Sequence, residues 1–272
     1  MASWNRINPL PEPPATVIVQ IYEIQTPDEA EACVRLGVDH VGSVLLSAEE
    51  WRRPLVREAA GLVDKAGAKS SLIPLFRDPD TVLRAIDYYR PHFIHFCDAL
   101  TDHAGRLLDP SPFLGLQDLV RRRFPQIGII RSLPVPASGR KASFTPMEAA
   151  SELDPLTDFF LTDTWLGCDP VEGFIGITGR PCDWDIAAQL VREIRTPVIL
   201  AGGLGPENVA EALAAVRPAG ADSCTGTNAV DSHGRPVRFK KDLARVKQFV
   251  EQVRRCESTI RGREGPGGGL FP

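Results

Sequence analysis

Two short segments rich in glycine and threonine follow apolar runs late in the chain. The first contains Gly202 and Gly203, and the second contains Thr225, Gly226 and Thr227. Glycine lets backbone N–H groups approach an anion without a clash from a β-carbon, and threonine adds hydroxyl groups. The pair of segments therefore predicts a phosphate-binding site, with two simple tight turns as the structural alternative.

Titratable and cationic side chains stand at or near the ends of other apolar runs. Asp163 lies near the end of the run FFLTDT and is a candidate acid–base group, or else a loop aspartate that caps the next element. His95 titrates in a useful range, although an interior histidine held by hydrogen bonds would have the same sequence surroundings. Arg131 lies near the end of another apolar run. Because arginine is rarely buried without a partner, we expect it to bind an anionic group.

Eight short apolar runs are typical of parallel strands that are buried on both faces. They alternate with amphipathic stretches, of which residues 27–36 and 79–89 begin with proline after a capping Thr26 or Asp78. Residues 206–216 and 239–255 have apolar residues at helical spacing. The predicted strands are Thr16–Ile21, His40–Leu46, Ser71–Phe76, Phe93–Phe96, Ile127–Leu133, Asp158–Leu161, Pro197–Ala201 and Ala221–Cys224.

Eight strand–helix units in about 250 residues favour a closed (β/α)8 TIM barrel. An open doubly wound sheet is the alternative, but no GxGxxG motif follows the first predicted strand. The long connections are roughly 97–111, 134–145 and 162–183, and all of them follow strands. Since active sites of such barrels lie at the carboxyl ends of the strands, we expect the site on that face.

The chain has 272 residues with 43% hydrophobic and 24% charged residues, which is ordinary for a globular protein. We expect an extended tail at 1–15, the barrel at 16–256 and a flexible glycine-rich tail at 257–272. The net charge of −4 gives no reason to expect nucleic acid or membrane as partner. Six scattered cysteines without CxxC pairs, and an amino terminus without an apolar run, predict a cytoplasmic protein with free thiols and no metal or other cofactor.

The segment Pro197–Asn228 resembles the carboxyl-terminal part of phosphoribosylanthranilate isomerase, a family that carries GGL-x-PENV followed by D-x-S-S-G. Residues 176–184, GITGRPCDW, are similar to the family's GGTGKTFDW. The resemblance covers roughly residues 16–255. It implies an Amadori rearrangement, in which an aminofuranose phosphate opens and becomes a ketose derivative. It also implies that Asp163 is the general acid.

The first predicted strand departs from the family pattern. Where the family has K-x-C-G, with the cysteine as general base, this chain has Gln20, Ile21, Tyr22 and Glu23. Tyrosine has an ordinary pKa of ~10, against ~8.5 for cysteine, and is a poor base unless its pKa is lowered. Tyr22 is expected to contact the substrate or replace the base, and Glu23 stays a possible base.

The resemblance also suggests cationic contacts for the substrate. Arg53, or its neighbour Arg52, follows the second predicted strand where the family has an arginine for the anthranilate carboxylate. Arg131 stands where the family has a lysine on strand five, and Arg180 follows Gly179 where the family has another lysine.

Two hypotheses follow from the sequence. The first is an isomerase-like enzyme that acts on a phosphorylated sugar derivative, by the family's reaction or a related one. The second is a non-catalytic barrel that binds a phosphorylated metabolite. The oligomeric state is left open.

Overall fold

Eight parallel strands form a closed barrel in which each strand pairs with the next and the eighth pairs with the first. The structure is a computed structural model that describes residues 16–102, 104–167 and 171–263. The predicted TIM barrel is therefore confirmed. The barrel strands are β1 (Ile18–Ile21), β2 (His40–Leu45), β3 (Lys69–Pro74), β4 (Phe93–Phe96), β5 (Gly128–Pro136), β6 (Phe159–Trp165), β7 (Val198–Leu200) and β8 (Gly220–Ser223).

Helices follow the strands around the outside of the barrel. Two of them begin where the sequence predicts, at Pro27 and Pro79, because Thr26 and Asp78 accept hydrogen bonds from the first turns. The helices are α1 (Pro27–Arg35), α2 (Pro54–Lys65), α3 (Pro79–Tyr89), α4 (Ser111–Arg123), α5 (Pro146–Leu153), α6 (Trp184–Glu193), α7 (Val209–Val216) and α8 (Leu243–Arg263).

A two-stranded hairpin separates β8 from α8 and was not predicted. It consists of β9 (Asn228–Val230) and β10 (Pro236–Lys241), paired antiparallel. The predicted helix start at Phe239 is wrong, because Phe239 lies in β10 with a φ of 60°. The helix begins after Asp242, whose carboxylate accepts hydrogen bonds from the backbone of Ala244 and Arg245.

The carboxyl-terminal helix is bound to the beginning of the first barrel strand. Arg254 donates to the carbonyl oxygens of Val17 and Gly37 and pairs with Asp39 at 2.7 Å. The helix continues to Arg263, so residues 257–263 of the predicted flexible tail are helical. The rest of both predicted tails, residues 1–15 and 264–272, lies outside the described residues, as does Cys168.

The period of two along β5 sorts its side chains between the barrel interior and the helices. Ile130 and Ser132 point inward, while Ile129 and Leu133 pack in the clusters between strands and helices. Arg131 therefore points outward.

None of the helices in the described part of the chain has both the length and the apolar character needed to span a membrane.

Candidate active site

Hydrogen bonds join five side chains across the barrel interior, one directly after β1 and the others on β3, β4, β5 and β6. The Tyr22 hydroxyl lies 2.6 Å from Ser71 Oγ and 2.8 Å from His95 Nδ1. His95 Nε2 lies 2.8 Å from Ser132 Oγ, and Ser132 Oγ donates to Asp163 Oδ2 at 2.7 Å. Three residues predicted as catalytic, Tyr22, His95 and Asp163, are thus members of one hydrogen-bonded chain.

The direction of this chain follows from counting protons. Because Ser132 uses its only proton toward Asp163, it must accept from His95 Nε2. A neutral imidazole then has a lone pair at Nδ1, which accepts from the Tyr22 hydroxyl. Tyr22 in turn accepts from Ser71. Every donor in the chain therefore points toward Asp163.

Burial keeps the middle of the chain neutral. It lowers the pKa of His95 to about 3, assisted by the positive charge of Arg131. It also raises the pKa of Tyr22 well above its ordinary value. Both groups are uncharged near neutral pH, so they can pass a proton along hydrogen bonds without holding a net charge.

Asp163 has a pKa far above that of an ordinary aspartate. Burial raises its pKa to about 7, while the hydrogen bond from Ser132 opposes the rise. Gly176 lies against it with a φ of 105°, and a β-carbon on Gly176 would be 2.9 Å from Asp163 Oδ1. A carboxyl with a pKa in this range can both give and take a proton near neutral pH.

The tyrosine in place of the family's cysteine requires space on the neighbouring strand. A β-carbon at Gly42 would lie 2.0 Å from Tyr22 Cδ1. Gly42, on β2, thus accommodates the tyrosine ring. Its role was not apparent from the sequence, because the register between β1 and β2 is needed to bring it beside Tyr22.

Asp222 also lines this cavity, although it is not among the site residues that the sequence predicts. Burial raises the pKa of its carboxyl to about 8. Gln20 donates to it at 3.2 Å and contacts His40 Nδ1 at 3.1 Å. The available signal is the period of two along a strand, which places Asp222 of β8 and Cys224 directly after it on the same face.

Glu23 is engaged in an ion pair at the barrel mouth. Its carboxylate accepts from Asn228 at 2.9 Å, from Arg238 at 2.7 Å and from the Phe239 backbone at 3.3 Å. Burial acts to raise its pKa, but these hydrogen bonds and the charges of Arg238 and Lys241 produce a net lowering. Glu23 therefore serves as an anchor for the hairpin rather than as a free base.

Three loops meet beside this cavity at the predicted phosphate site. Gly203 has a φ of 57°, and a β-carbon there would lie 2.5 Å from the carbonyl carbon of Arg180. A β-carbon on Gly226 would lie 2.1 Å from the Leu204 oxygen. The loops after β6, β7 and β8 therefore approach one another closely at glycine positions.

Donors in these loops differ in their availability. Within the described residues, the backbone N–H groups of Gly202 and Gly203 donate no hydrogen bond to protein atoms. Thr225 lies close by, since its Oγ1 would be 3.4 Å from a β-carbon on Gly179. Thr227 is fully buried, and its hydroxyl donates to the Cys224 oxygen at 3.2 Å.

The predicted arginines do not line the cavity. Arg180 is exposed, although its backbone carbonyl accepts from Thr164 Oγ1 at 2.6 Å beside the glycine turns. Arg53 is exposed at the start of α2, and Arg131 points toward α4. The arginine that does line the cavity is Arg238 from the unpredicted hairpin. Its Nη2 is buried and has no hydrogen-bond partner among the described residues.

The fold and the site define a (β/α)8 barrel enzyme with acid–base groups at the carboxyl ends of its strands. The family described as N-(5'-phosphoribosyl)anthranilate (PRA) isomerase matches residues 120–252. The N-(5'-phosphoribosyl)anthranilate isomerase of Methanocella arvoryzae is 30% identical over 245 residues, covering 87% of this chain and 97% of that protein. The same enzyme of Methanothrix thermoacetophila is 30% identical over 241 residues, covering 88% and 99%. The chain belongs to the phosphoribosylanthranilate isomerase family.

Solved structures are similar in fold. Phosphoribosyl anthranilate isomerase from Thermotoga maritima has a TM-score of 0.62 at 23% identity, covering 88% of this chain and 99% of that one. A structure of the enzyme in complex with reduced 1-(o-carboxyphenylamino)-1-deoxyribulose 5-phosphate also has a TM-score of 0.62, at 21% identity and the same coverage.

Proposed function

We propose that this protein isomerises N-(5'-phosphoribosyl)anthranilate by the Amadori rearrangement of its family. The observation that carries the proposal is the hydrogen-bonded chain from Tyr22 through His95 and Ser132 to Asp163. The reaction needs an acid for the ring oxygen and a base for the proton on C2 of the sugar. The hydrogen-bonded chain contains groups for the acid and for the base, and it connects them.

Asp163 acts as the general acid. It gives its proton to the ring oxygen while the nitrogen lone pair opens the ring to a Schiff base. Its pKa of about 7 keeps a large protonated fraction at neutral pH, whereas an ordinary aspartate would be ionised. No other group has to be protonated for this step.

Tyr22 and His95 together act as the base that the missing cysteine would have supplied. The Tyr22 oxygen takes the C2 proton as its own proton moves to His95 Nδ1. His95 passes the Nε2 proton to Ser132, and the Ser132 proton moves to Asp163. The C–H electrons form the enolamine, and the acid is restored without a free tyrosinate or imidazolium.

The phosphate and the anthranilate carboxylate have separate binding groups. The free N–H groups of Gly202 and Gly203, with Thr225 and Gly226 beside them, bind the phosphate. Arg238 Nη2 donates to the carboxylate, in place of the arginine that the family has after strand two. Arg180 flanks the phosphate turns and contributes from the rim.

A non-catalytic barrel that binds a phosphorylated metabolite is the second candidate. The observation that favours it is the absence of the family's cysteine at position 22. This candidate uses the same glycine turns for phosphate but leaves the Tyr22–Asp163 chain without a chemical role.

Turnover of N-(5'-phosphoribosyl)anthranilate by the wild-type protein and by Tyr22→Cys distinguishes the two. The isomerase proposal expects wild-type turnover, and it expects Tyr22→Phe to lower kcat about 10²-fold or more. Turnover that is absent in the wild type and appears only in Tyr22→Cys would favour the non-catalytic barrel.

We also propose that the protein works in the reducing cytoplasm. Its described cysteines are all free thiols, which suits that compartment.

A further inference from the structure

A second pocket lies outside the barrel, where the beginning of α3 faces α4. Its volume is about 610 Å³, within the range of about 300–1,000 Å³ usual for small-molecule sites. It shares no lining residue with the barrel cavity. Neither the phosphate site nor the acid–base chain therefore explains it.

The floor of this outer pocket contains a buried arginine with unused donors. Arg131 is 1% exposed and makes one ion pair, from Nη1 to Asp98 Oδ2 at 2.8 Å. Asp98 also pairs with Arg77 Nε at 2.6 Å, so two arginines share one carboxylate. Arg131 Nε and Nη2 are buried and have no hydrogen-bond partner among the described residues. The floor thus has an excess of positive charge and two unsatisfied donors.

The walls of the outer pocket are apolar. Phe96, Leu116 and Leu119 line it, and the Phe113 ring lies 4.8 Å from Arg131 Cζ. The other acidic group at the pocket is Asp109, which is exposed at the rim and accepts two hydrogen bonds from Ser111. An anion with a hydrophobic body would therefore meet charge at the floor and apolar surface along the walls.

We propose that this outer pocket binds a small organic carboxylate with an aromatic or branched apolar body. Nε and Nη2 lie on one edge of the guanidinium and form a planar fork that fits the two oxygens of a carboxylate. The apolar walls favour an organic anion over inorganic phosphate, because the phosphate oxygens that the fork does not reach would lose their hydration without gaining partners there.

The probe for this proposal is 3-phenylpropionate, titrated into the full chain by isothermal calorimetry. The blocking variant is Gly115→Trp, because Gly115 lies on α4 at the pocket and a β-carbon there meets no atom within 4 Å. Gly61→Trp is the matched control. Gly61 is likewise exposed within a helix, α2, with no atom within 4 Å of its β-carbon position, and it does not line the pocket.

We expect saturable 1:1 binding to the wild type and to Gly61→Trp. Binding to Gly115→Trp and binding of neutral 3-phenylpropionamide to the wild type should each be at least tenfold weaker. Arg131→Gln should also lose binding. Gly115→Trp keeps the proposal testable if the buried Arg131 variant does not fold.

Three results would overturn the proposal. The first is the absence of saturable binding at millimolar probe. The second is unchanged affinity in Gly115→Trp, which would place the probe in the barrel cavity instead. The third is displacement of the probe by inorganic phosphate, which would indicate a site for simple anions. Isomerase activity is measured separately on the same samples, so failure here leaves the proposed function standing.

Discussion

At the residue scale, environment rather than residue type decides what each group in the site can do. Asp163 and Glu23 are both carboxylates near the barrel mouth, yet the pKa of Asp163 rises to about 7 while that of Glu23 is lowered. The difference is that Asp163 accepts from a neutral hydroxyl, whereas Glu23 faces Arg238 and Lys241. Asp163 is therefore suited to donate a proton, and Glu23 is suited to hold an ion pair.

The raised pKa of Asp163 predicts how activity depends on pH. The acid must be protonated, so kcat should fall about tenfold per pH unit above pH 7. His95, with a pKa of about 3, imposes no limit until the medium is strongly acidic. A pH–rate profile of the wild type measures this. A rate that stays level from pH 7 to 9 would contradict the acid role of Asp163.

The same pKa shift also predicts a stability difference. Below an unfolded pKa of about 3.9 the carboxyl is neutral in both states. As pH rises toward 7, the unfolded chain ionises but the folded protein resists, so the folded state loses stability relative to Asp163→Asn. Denaturant unfolding of both proteins should show a difference that grows between pH 4 and 7 and then levels off. A pH-independent difference would be inconsistent with the buried carboxyl.

At the element scale, the site depends on how close the loops after β6, β7 and β8 come to one another. The order of the motifs and the number of strands were enough to predict the glycine turns and to predict that they lie close to each other. The donor availability could not, because it depends on which N–H groups the surrounding loops leave unbonded. The hairpin with Arg238 was also missed, since its apolar residues have helical spacing and a φ of 60° at Phe239 cannot be read from the residue type.

A substitution at Gly203 tests whether phosphate binding needs the close approach of these loops. In Gly203→Ala the new methyl group would clash with the Arg180–Pro181 backbone, so the loops must separate and the affinity for inorganic phosphate should fall at least tenfold. Gly67→Ala is the matched control, because Gly67 also has a positive φ, of 80°, but has open space around its β-carbon position. Equal phosphate affinity in both variants would argue against phosphate at this turn.

At the scale of the whole molecule, continuous apolar runs were enough to predict the barrel. Parallel strands buried on both faces need such runs, and eight of them in this length close most readily into a barrel. The direction of Arg131 could not be predicted, because β5 is buried on both sides and its pattern does not say which face is inward. For this reason Arg131 was expected to contact the substrate, whereas its side chain lies at the outer pocket.

The stability of the barrel also depends on α8 beyond the predicted end of the domain. Glu257 accepts from the Val17 backbone at 2.6 Å and lies 3.6 Å from Arg254. Glu257→Ala should destabilise the protein by ~1–2 kcal/mol, because the Val17 N–H at the start of β1 loses a charged partner. In thermal unfolding this corresponds to a Tm lower by a few degrees.

The control for this prediction is Glu251→Ala on the same helix. Glu251 is exposed and its ion pairs are with Lys247 and Arg255 on the helix surface, so we expect little change. Equal melting temperatures for Glu257→Ala and Glu251→Ala would show that the Glu257 contact stabilises the protein no more than a surface ion pair does.

The most direct test is a double-mutant comparison of kcat with N-(5'-phosphoribosyl)anthranilate, using wild type, Tyr22→Phe, Asp163→Asn and the double variant. If one hydrogen-bonded chain serves both acid and base, the double variant should be about as slow as the slower single variant, because either change interrupts the same proton path. Losses that multiply, or a wild-type protein without turnover, would contradict the account.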